Sequence, residues 1–289
     1  MRARKVPQEA LAGLRDADWV DRSRRPYVRD GVAWVPVREG YPADGDLPER
    51  ALYTGRGYHL IGEIAVLHGP APTEAELAAI IAHCRPRGVI RVAGLAGEKR
   101  IPKIEVLSGT VGETVHREQG YTFHLNPAVV MFAQGNRTEK VRMAALVRPG
   151  ERVADMFAGI GYFTVPAACS GAEVHAMELN RAAFEYLERN SIENHVEGRV
   201  RAEHGDCRNL LAGYYDRVIM GHFDAPGFLP AALAHVRRGS VLHVHSIGPA
   251  ETEIRRHLQD AGRAGTITVH RVKKYAPRAW HMVQDVTIS

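Results

Sequence analysis

A chain of 289 residues and 31.9 kDa has room, at about 150 residues per domain, for about two domains and a sizeable buried core. Its 45% hydrophobic and 25% charged content excludes a disordered, collagen-like or coiled-coil chain. The 38 Lys and Arg against 33 Asp and Glu leave a net charge of +5 and a pI near 9.2, which suits a polyanionic partner without requiring one.

The N-terminal MRARKVPQEALAGLRDADWV is basic, and Gln8, Glu9, Arg15, Asp16 and Asp18 interrupt its apolar positions, so it lacks the hydrophobic region of a signal peptide. No run reaches the roughly 20 apolar residues of a membrane span. Cys84, Cys169 and Cys207 lie far apart without CxxC spacing, which encodes neither a disulfide framework nor a zinc knuckle and fits a reducing cytoplasm. The expectation is a cytoplasmic protein with no membrane association.

Residues 1–50 form a basic N-terminal segment, with Arg22, Arg24, Arg25 and Arg29 beside Tyr27 and Trp34, a combination that serves either as a solvated face or as an RNA contact. A strand-like GVAWVPV and a linker-like YPADGDLP follow. Residues 51–125 read as a small α+β accessory domain. There, HLIGEIAVLHG is a strand, Thr73 and Glu76 form a capping box, and Leu77, Ile80, Ile81 and Cys84 recur at helical spacing. GVIRVAG, IPKIEVLSG and TVHREQGYTFHLN supply its further extended segments.

In residues 126–289 a helical stretch containing VVMFA and TEKVRMAALV leads to Pro149 and Gly150, after which strand and helix signals alternate. RVADMF, EVHAMEL, RVRAEHGD, DRVIMGHF and SVLHVHS are strands. RAAFEYLERNSIENH, capped by Asn180, is a helix, as are FLPAALAHVRRG and TEIRRHLQDAG; TITVHRVKKY and WHMVQDVTIS form a terminal antiparallel pair. The short connections imply an α/β fold with a doubly wound, mostly parallel sheet.

Ligands of such sheets sit beyond the carboxyl ends of the strands, near the switch point. The first strand there ends in DMFAGIGYF, where Phe157, Gly159 and Gly161 open a helix and the glycines let backbone approach a ligand. Alone, this is an ordinary tight turn. Glu178 ends the next strand, 17 residues beyond Gly161, where a carboxylate accepts both hydroxyls of a ribose. Asp206 follows the third strand and can accept from an adenine amino group while Cys207 offers a backbone amide. Together these loops describe an adenosine site; each acid taken singly would be a solvated or capping residue.

DMFAGIGYF with MELN and HGD resembles the S-adenosylmethionine site of the Rossmann-like class I methyltransferases. With IGEIAVLHG, GEKRIPKIEVLSG, HREQGYTFHLNP and FAQGNRTEKVRM, the chain over about residues 58–250 is similar in particular to the archaeal and eukaryal enzymes that modify the tRNA purine 3′ of the anticodon. That layout is shared by guanine-N1 methyltransferases and wybutosine-pathway aminocarboxypropyltransferases. FHLNPAVVMFAQGN has the second group's pattern of a phenylalanine followed shortly by Gly-Asn, and MGHFDAP lacks the Asn-Leu-Pro-type segment of the first. One departure is Ala133, which stands where the transferases have a serine, so that a side-chain hydrogen bond is lost while a backbone contact survives.

The resemblance implies S-adenosylmethionine as cofactor, with Lys140 at a cofactor-contacting basic position, Glu178 on the ribose, and Asp206 with Cys207 on the adenine. It implies transfer of the aminocarboxypropyl group to C7 of the tricyclic wyosine precursor in tRNA(Phe), with methylthioadenosine released. Lys140 suits the methionyl carboxylate on chemical grounds as well, although an exposed helix lysine is its bland alternative. Asp224 or His222 is placed to accept the proton lost from C7; Asp224 could equally cap the next helix and His222 line the pocket. His243 and His245 share a strand face without a third ligand, so no metal is expected. Lys273, Lys274 and Arg278 with Tyr275 and Trp280 form a second basic and aromatic cluster, an RNA contact or a solvated hairpin. The competing readings are the sibling methyltransferase and a non-catalytic RNA-binding module; oligomeric state is open.

Overall fold

The computed structural model describes residues 1–14, 16–24, 26–29, 31–47, 53–132 and 136–289, which divide into two units, Met1–Thr54 and Gly55–Ser289. Arg25 and Ala133 lie outside the described residues, as does the side chain of Arg29.

In the first unit, β1 (Arg2–Pro7), β2 (Tyr27–Arg29), β3 (Val32–Pro36) and β4 (Gly45–Asp46) make an antiparallel sheet in the order β2-β3-β1-β4. Ala3, Ala33, Val35 and Val20 fill its small core. The sequence reading missed β1 because its outward positions are basic rather than polar-neutral: Arg4 lies over Trp19 and Lys5 over Trp34, each at 4.5 Å. The stretch read as a linker contains β4, and its Asp44 carboxylate accepts the Lys5 N–H at 2.8 Å.

In the second unit HLIGEIAVLHG is a hairpin rather than one strand. β5 (His59–Ile61) turns at Gly62, with φ of 54°, into β6 (Ile64–His68). A side chain at Gly62 would collide with Thr114. Helix α1 (Glu74–Cys84) starts in the expected capping box: the Thr73 hydroxyl accepts the Glu76 N–H at 3.2 Å, and the Glu76 carboxylate accepts the Thr73 N–H at 2.8 Å. β7 (Gly88–Ala96) and β8 (Ile101–Gly109) complete the sheet β5-β6-β7-β8, and β9 (Thr114–Glu118) pairs with β10 (Tyr121–Leu125). Residues 129–132, the described part of VVMFA, do not begin a helix. The Asn126 carbonyl accepts the N–H groups of Val129 and Val130, and its side chain accepts that of Ala128, so the chain turns at Asn126-Pro127 and α2 runs only from Arg137 to Leu146.

The remaining elements are β11 (Arg152–Asp155), α3 (Thr164–Cys169), β12 (Glu173–Glu178), α4 (Arg181–Glu193), β13 (Val200–His204), α5 (Cys207–Leu210), β14 (Tyr215–Met220), α6 (Leu229–Leu233), β15 (Val236–Ile247), α7 (Glu251–Asp260), β16 (Gly265–Ala276) and β17 (Ala279–Ile288). They build a seven-stranded sheet ordered β13-β12-β11-β14-β15-β17-β16, parallel through β15 with an antiparallel β17 and β16. FLPAALAHVRRG yields only the short α6, because its VRRG end is drawn into β15.

Alternation along the strands fills both faces of this sheet: Val218 and Met220 enter one core with Met156, Leu229 and Ile254, and Ile219 the other with Val153, Phe184 and Leu187. A third core joins Ile64, Ile90 and Phe123 of the smaller sheets to Ile160, Val165 and Ala183. Asn190 of α4 accepts the His124 N–H at 2.7 Å and donates to the Ile160 carbonyl at 2.9 Å, which ties β10 to the turn after β11. The smaller sheets and the seven-stranded sheet, divided at residue 125 in the sequence reading, therefore share one core. Among the described residues no helix is long and apolar enough to cross a membrane.

Candidate active site

The order of strands reverses between β11 and β14, so their carboxyl ends flank the switch point. Phe157, Gly159, Glu178, Asp206, Cys207, His222 and Asp224, each expected from sequence, line one cavity there.

Glu178, at the end of β12, is the best-prepared acceptor. Its Oε2 takes the Gly159 N–H at 2.7 Å and its Oε1 the Asn180 N–H at 2.6 Å. Burial still pushes its carboxyl above the usual range, with those amides pulling the other way. Gly159 holds φ of 57°, which an ordinary side chain resists. Gly161 serves packing instead: a Cβ there would press on Val165 and Leu187 at 3.1 and 3.3 Å. Beneath the turn Asp155 is fully buried, accepting from the Thr164 hydroxyl at 2.8 Å, and burial pushes its carboxyl up to about 7.

Asp206 caps α5 by accepting the Arg208 N–H at 2.9 Å, and the Arg208 guanidinium grips both of its oxygens at 2.5 to 3.0 Å. That contact holds its carboxyl below the usual range. An adenine amino group at Asp206 must therefore compete with Arg208. Cys207 opens α5, placing its N–H among the first-turn donors that lack an intrahelical acceptor. Its thiol, pushed up to about 12 chiefly by burial, stays protonated and is no nucleophile.

After β14, His222 stacks on Phe157 with ring centroids 5.2 Å apart, and Phe228 meets Phe157 edge-on at 5.0 Å. The His222 Nδ1 accepts the Asp224 N–H at 3.1 Å. Burial and the Arg100 guanidinium hold that imidazole below its usual range, so it is neutral with its proton on Nε2. The Asp224 side chain is 82% exposed and makes no cap bond to the turn that follows.

Lys140 is not among the lining residues. It is fully buried, its Nζ bonded to Glu118 and 3.6 Å from the centre of the Tyr162 ring. Burial lowers its pKa against the pull of Glu118, which Arg137 also engages. The face of α2 that carries Lys140 packs on β9, and Glu118 supplies the compensating charge without which the ammonium would not enter an aromatic enclosure. His243 and His245 are buried strand histidines: His243 contacts Asp285 and Arg217, each at 2.6 Å, while His245 contacts His281 through Nδ1 at 2.9 Å and leaves its Nε2 without a hydrogen-bond partner among the described residues. No metal-binding cluster occurs among the described residues.

Sequence reasoning missed Glu98, Lys99 and Arg100, which reach the cavity from the β7–β8 turn, and also Met131, Arg208 and Phe228. Arg208 was the findable one, lying two residues after Asp206 on the same helix start.

The profile of the TRM5/TYW2 methyltransferase domain matches residues 114–272, more than half of the chain. The tRNA(Phe) (4-demethylwyosine(37)-C(7)) aminocarboxypropyltransferase of Pyrococcus horikoshii is 35% identical over 211 residues, 69% of this chain and 76% of that protein. The crystal structure of P. horikoshii TYW2 in complex with MeSAdo matches at a TM-score of 0.70 and 29% identity, over 81% of this chain and 91% of that one. Wild-type Trm5b from Pyrococcus abyssi matches at 0.74 and 25% identity, over 99% of each chain. Strand order, the placement of the adenosine-type residues and these likenesses agree, and the chain belongs to the TRM5/TYW2 methyltransferase family.

Proposed function

We propose that this protein transfers the 3-amino-3-carboxypropyl group of S-adenosylmethionine to C7 of 4-demethylwyosine, 3′ of the anticodon of tRNA(Phe), in the synthesis of wybutosine derivatives. The observation that carries this reading is the convergence of Gly159, Glu178, Asp206 and Cys207 on one cavity beyond the strand ends. The residues suit the cofactor. Glu178 uses a lone pair of each oxygen on the Gly159 and Asn180 amides and keeps others for two ribose hydroxyls. Phe157 and Phe228 offer ring surface for the adenine.

When bound, S-adenosylmethionine supplies the sulfonium-activated Cγ: the C7–Cγ bond forms, the Cγ–S bond breaks, and methylthioadenosine leaves with the electron pair. The chain's own residues contribute orientation and exclusion of water, which together supply up to about 7–11 kcal/mol when attack geometry is held. Asp224 accepts the proton released from C7, because it lines the cavity while its side chain stands in solvent that can carry the proton away. His222, whose lone pair is engaged by the Asp224 amide, serves as a wall stacked on Phe157.

The basic residues at 22–29 and 271–278 hold the RNA backbone; at the second cluster Tyr275 is exposed and Arg271 lies over Trp280 at 5.5 Å. Methyl transfer to guanine N1 is the second reading, favoured by the likeness to Trm5b. Incubation with tRNA carrying 4-demethylwyosine, and separately with tRNA carrying guanine, tests the choice by nucleoside mass. Gain of an aminocarboxypropyl group on the tricyclic base is expected. A methylated guanine with the tricyclic base unchanged overturns the proposal.

A further inference from the structure

We infer that a phosphodiester of the RNA substrate is held between Arg100 and Lys273 at the mouth of the cavity; this rests on the RNA-modifying reading above. Arg100 reaches the cavity from the β7–β8 turn, and its guanidinium lies over Phe223 at 5.1 Å. The same Phe223 ring meets Tyr275 at 5.2 Å and His281 at 5.0 Å. Lys273 is the cross-strand partner of His281 in the β16–β17 pair, so the two cations approach one aromatic plug from different elements.

Each is half-buried, and among the described residues neither forms an ion pair, in a chain where buried Lys140 and half-buried Arg142 both have carboxylates. Asp224 and Tyr275 act on Arg100 only at a distance. The positive field of this corner is visible on its neighbours: burial, Lys273 and Arg100 together push the His281 imidazole down to about 4, and Lys273 adds to the lowering that burial imposes on His59 and His68. Two partly desolvated, mutually repelling cations without a protein counterion are stabilised by an anion between them. Arg100 also keeps a φ of 49°, with its N–H closing the turn on the Gly97 carbonyl at 3.1 Å. Glycine or asparagine would sit there with less strain.

The chemistry fits a phosphodiester better than a base edge. A guanidinium and an ammonium present only donors, and of the two Arg100 lines the cavity while Lys273 lies outside its lining. Anchoring the backbone there would leave the attached base free to approach the cavity beside Asp224.

An anticodon stem-loop RNA with a neutral methylphosphonate at each linkage flanking the modified base, compared with the unmodified RNA, tests the site by binding at several salt concentrations. The wild-type protein should bind the neutral-linkage RNA about tenfold more weakly, while Arg100→Gln/Lys273→Gln should not distinguish the two RNAs. Each single substitution should reduce the slope of log affinity against log salt by about one. Lys273→Gln should keep wild-type affinity for methylthioadenosine, which shows that the fold and the adenosine site are intact. Discrimination retained by the double variant, or unchanged salt slopes, would overturn the phosphate site alone. A wild-type protein that binds neither RNA removes the functional reading and the site with it.

Discussion

Glu178 and Asp206 end neighbouring strands and face one cavity, yet they are prepared differently. Glu178 is held by two backbone amides and half-hidden from water, whereas Asp206 is more open and already gripped by an arginine two residues away. Backbone donors cannot leave, so Glu178 is preorganised, and its remaining lone pairs are kept for the hydroxyl groups of the proposed ligand. Arg208 can leave, so Asp206 offers a contact whose gain is reduced by what it displaces. The lesson is that one residue type at matching topological positions yields unequal binding energy, according to what already occupies its oxygens.

The largest break in this comparison is Glu178→Ala. Loss of two hydrogen bonds to a charged acceptor, at about 1.5–3 kcal/mol each, predicts weakening of S-adenosylmethionine binding by at least 10²-fold and on the order of 4 kcal/mol by calorimetry. An affinity within threefold of wild type would show that the ribose sits elsewhere.

Next in size is the buried Asp155 beneath the same turn. The unfolded chain carries an ordinary aspartate that ionises near pH 4, whereas the folded group keeps its proton to about 7. Between those values the folded state binds the extra proton, so stability falls as pH rises from about 4 to 7, by about 4 kcal/mol. Asp155→Asn should remove most of that decline in denaturant titrations at a series of pH values. An unchanged slope would mean that Asp155 ionises normally.

Asp206→Ala should weaken cofactor binding only about tenfold, about 1.4 kcal/mol, because Asp206 trades Arg208 for the adenine amino group. The smallest effect belongs to Arg208→Ala, which frees Asp206 but removes a guanidinium 4.9 Å from Phe228. A change within about threefold in either direction is expected, since an ion pair standing in water contributes little. Equal losses for Glu178→Ala and Asp206→Ala would erase the asymmetry.

The parts of this site that could be read from sequence are those built by local chain. Gly159, Glu178 and Asp206 sit at the ends of consecutive strands, where spacing alone dictates proximity. The β16–β17 pair and the Thr73 capping box were legible for the same reason. What escaped depends on distant partners. Arg100 enters the cavity from a turn more than 50 residues before Glu178, and nothing in its neighbourhood signals that. Lys140 was expected at the ligand, but its position opposite Glu118 follows from how α2 packs on β9. FLPAALAHVRRG has helical composition, and pairing with β14 draws its VRRG end into β15. In each case tertiary contact overrides the local pattern.

The most direct test of the central claim is chromatographic identification of the cofactor by-product after one round of reaction with tRNA carrying 4-demethylwyosine. Methylthioadenosine in a one-to-one ratio with modified tRNA is the predicted result. S-adenosylhomocysteine in its place would contradict the account, since the methyl rather than Cγ would then have faced the base.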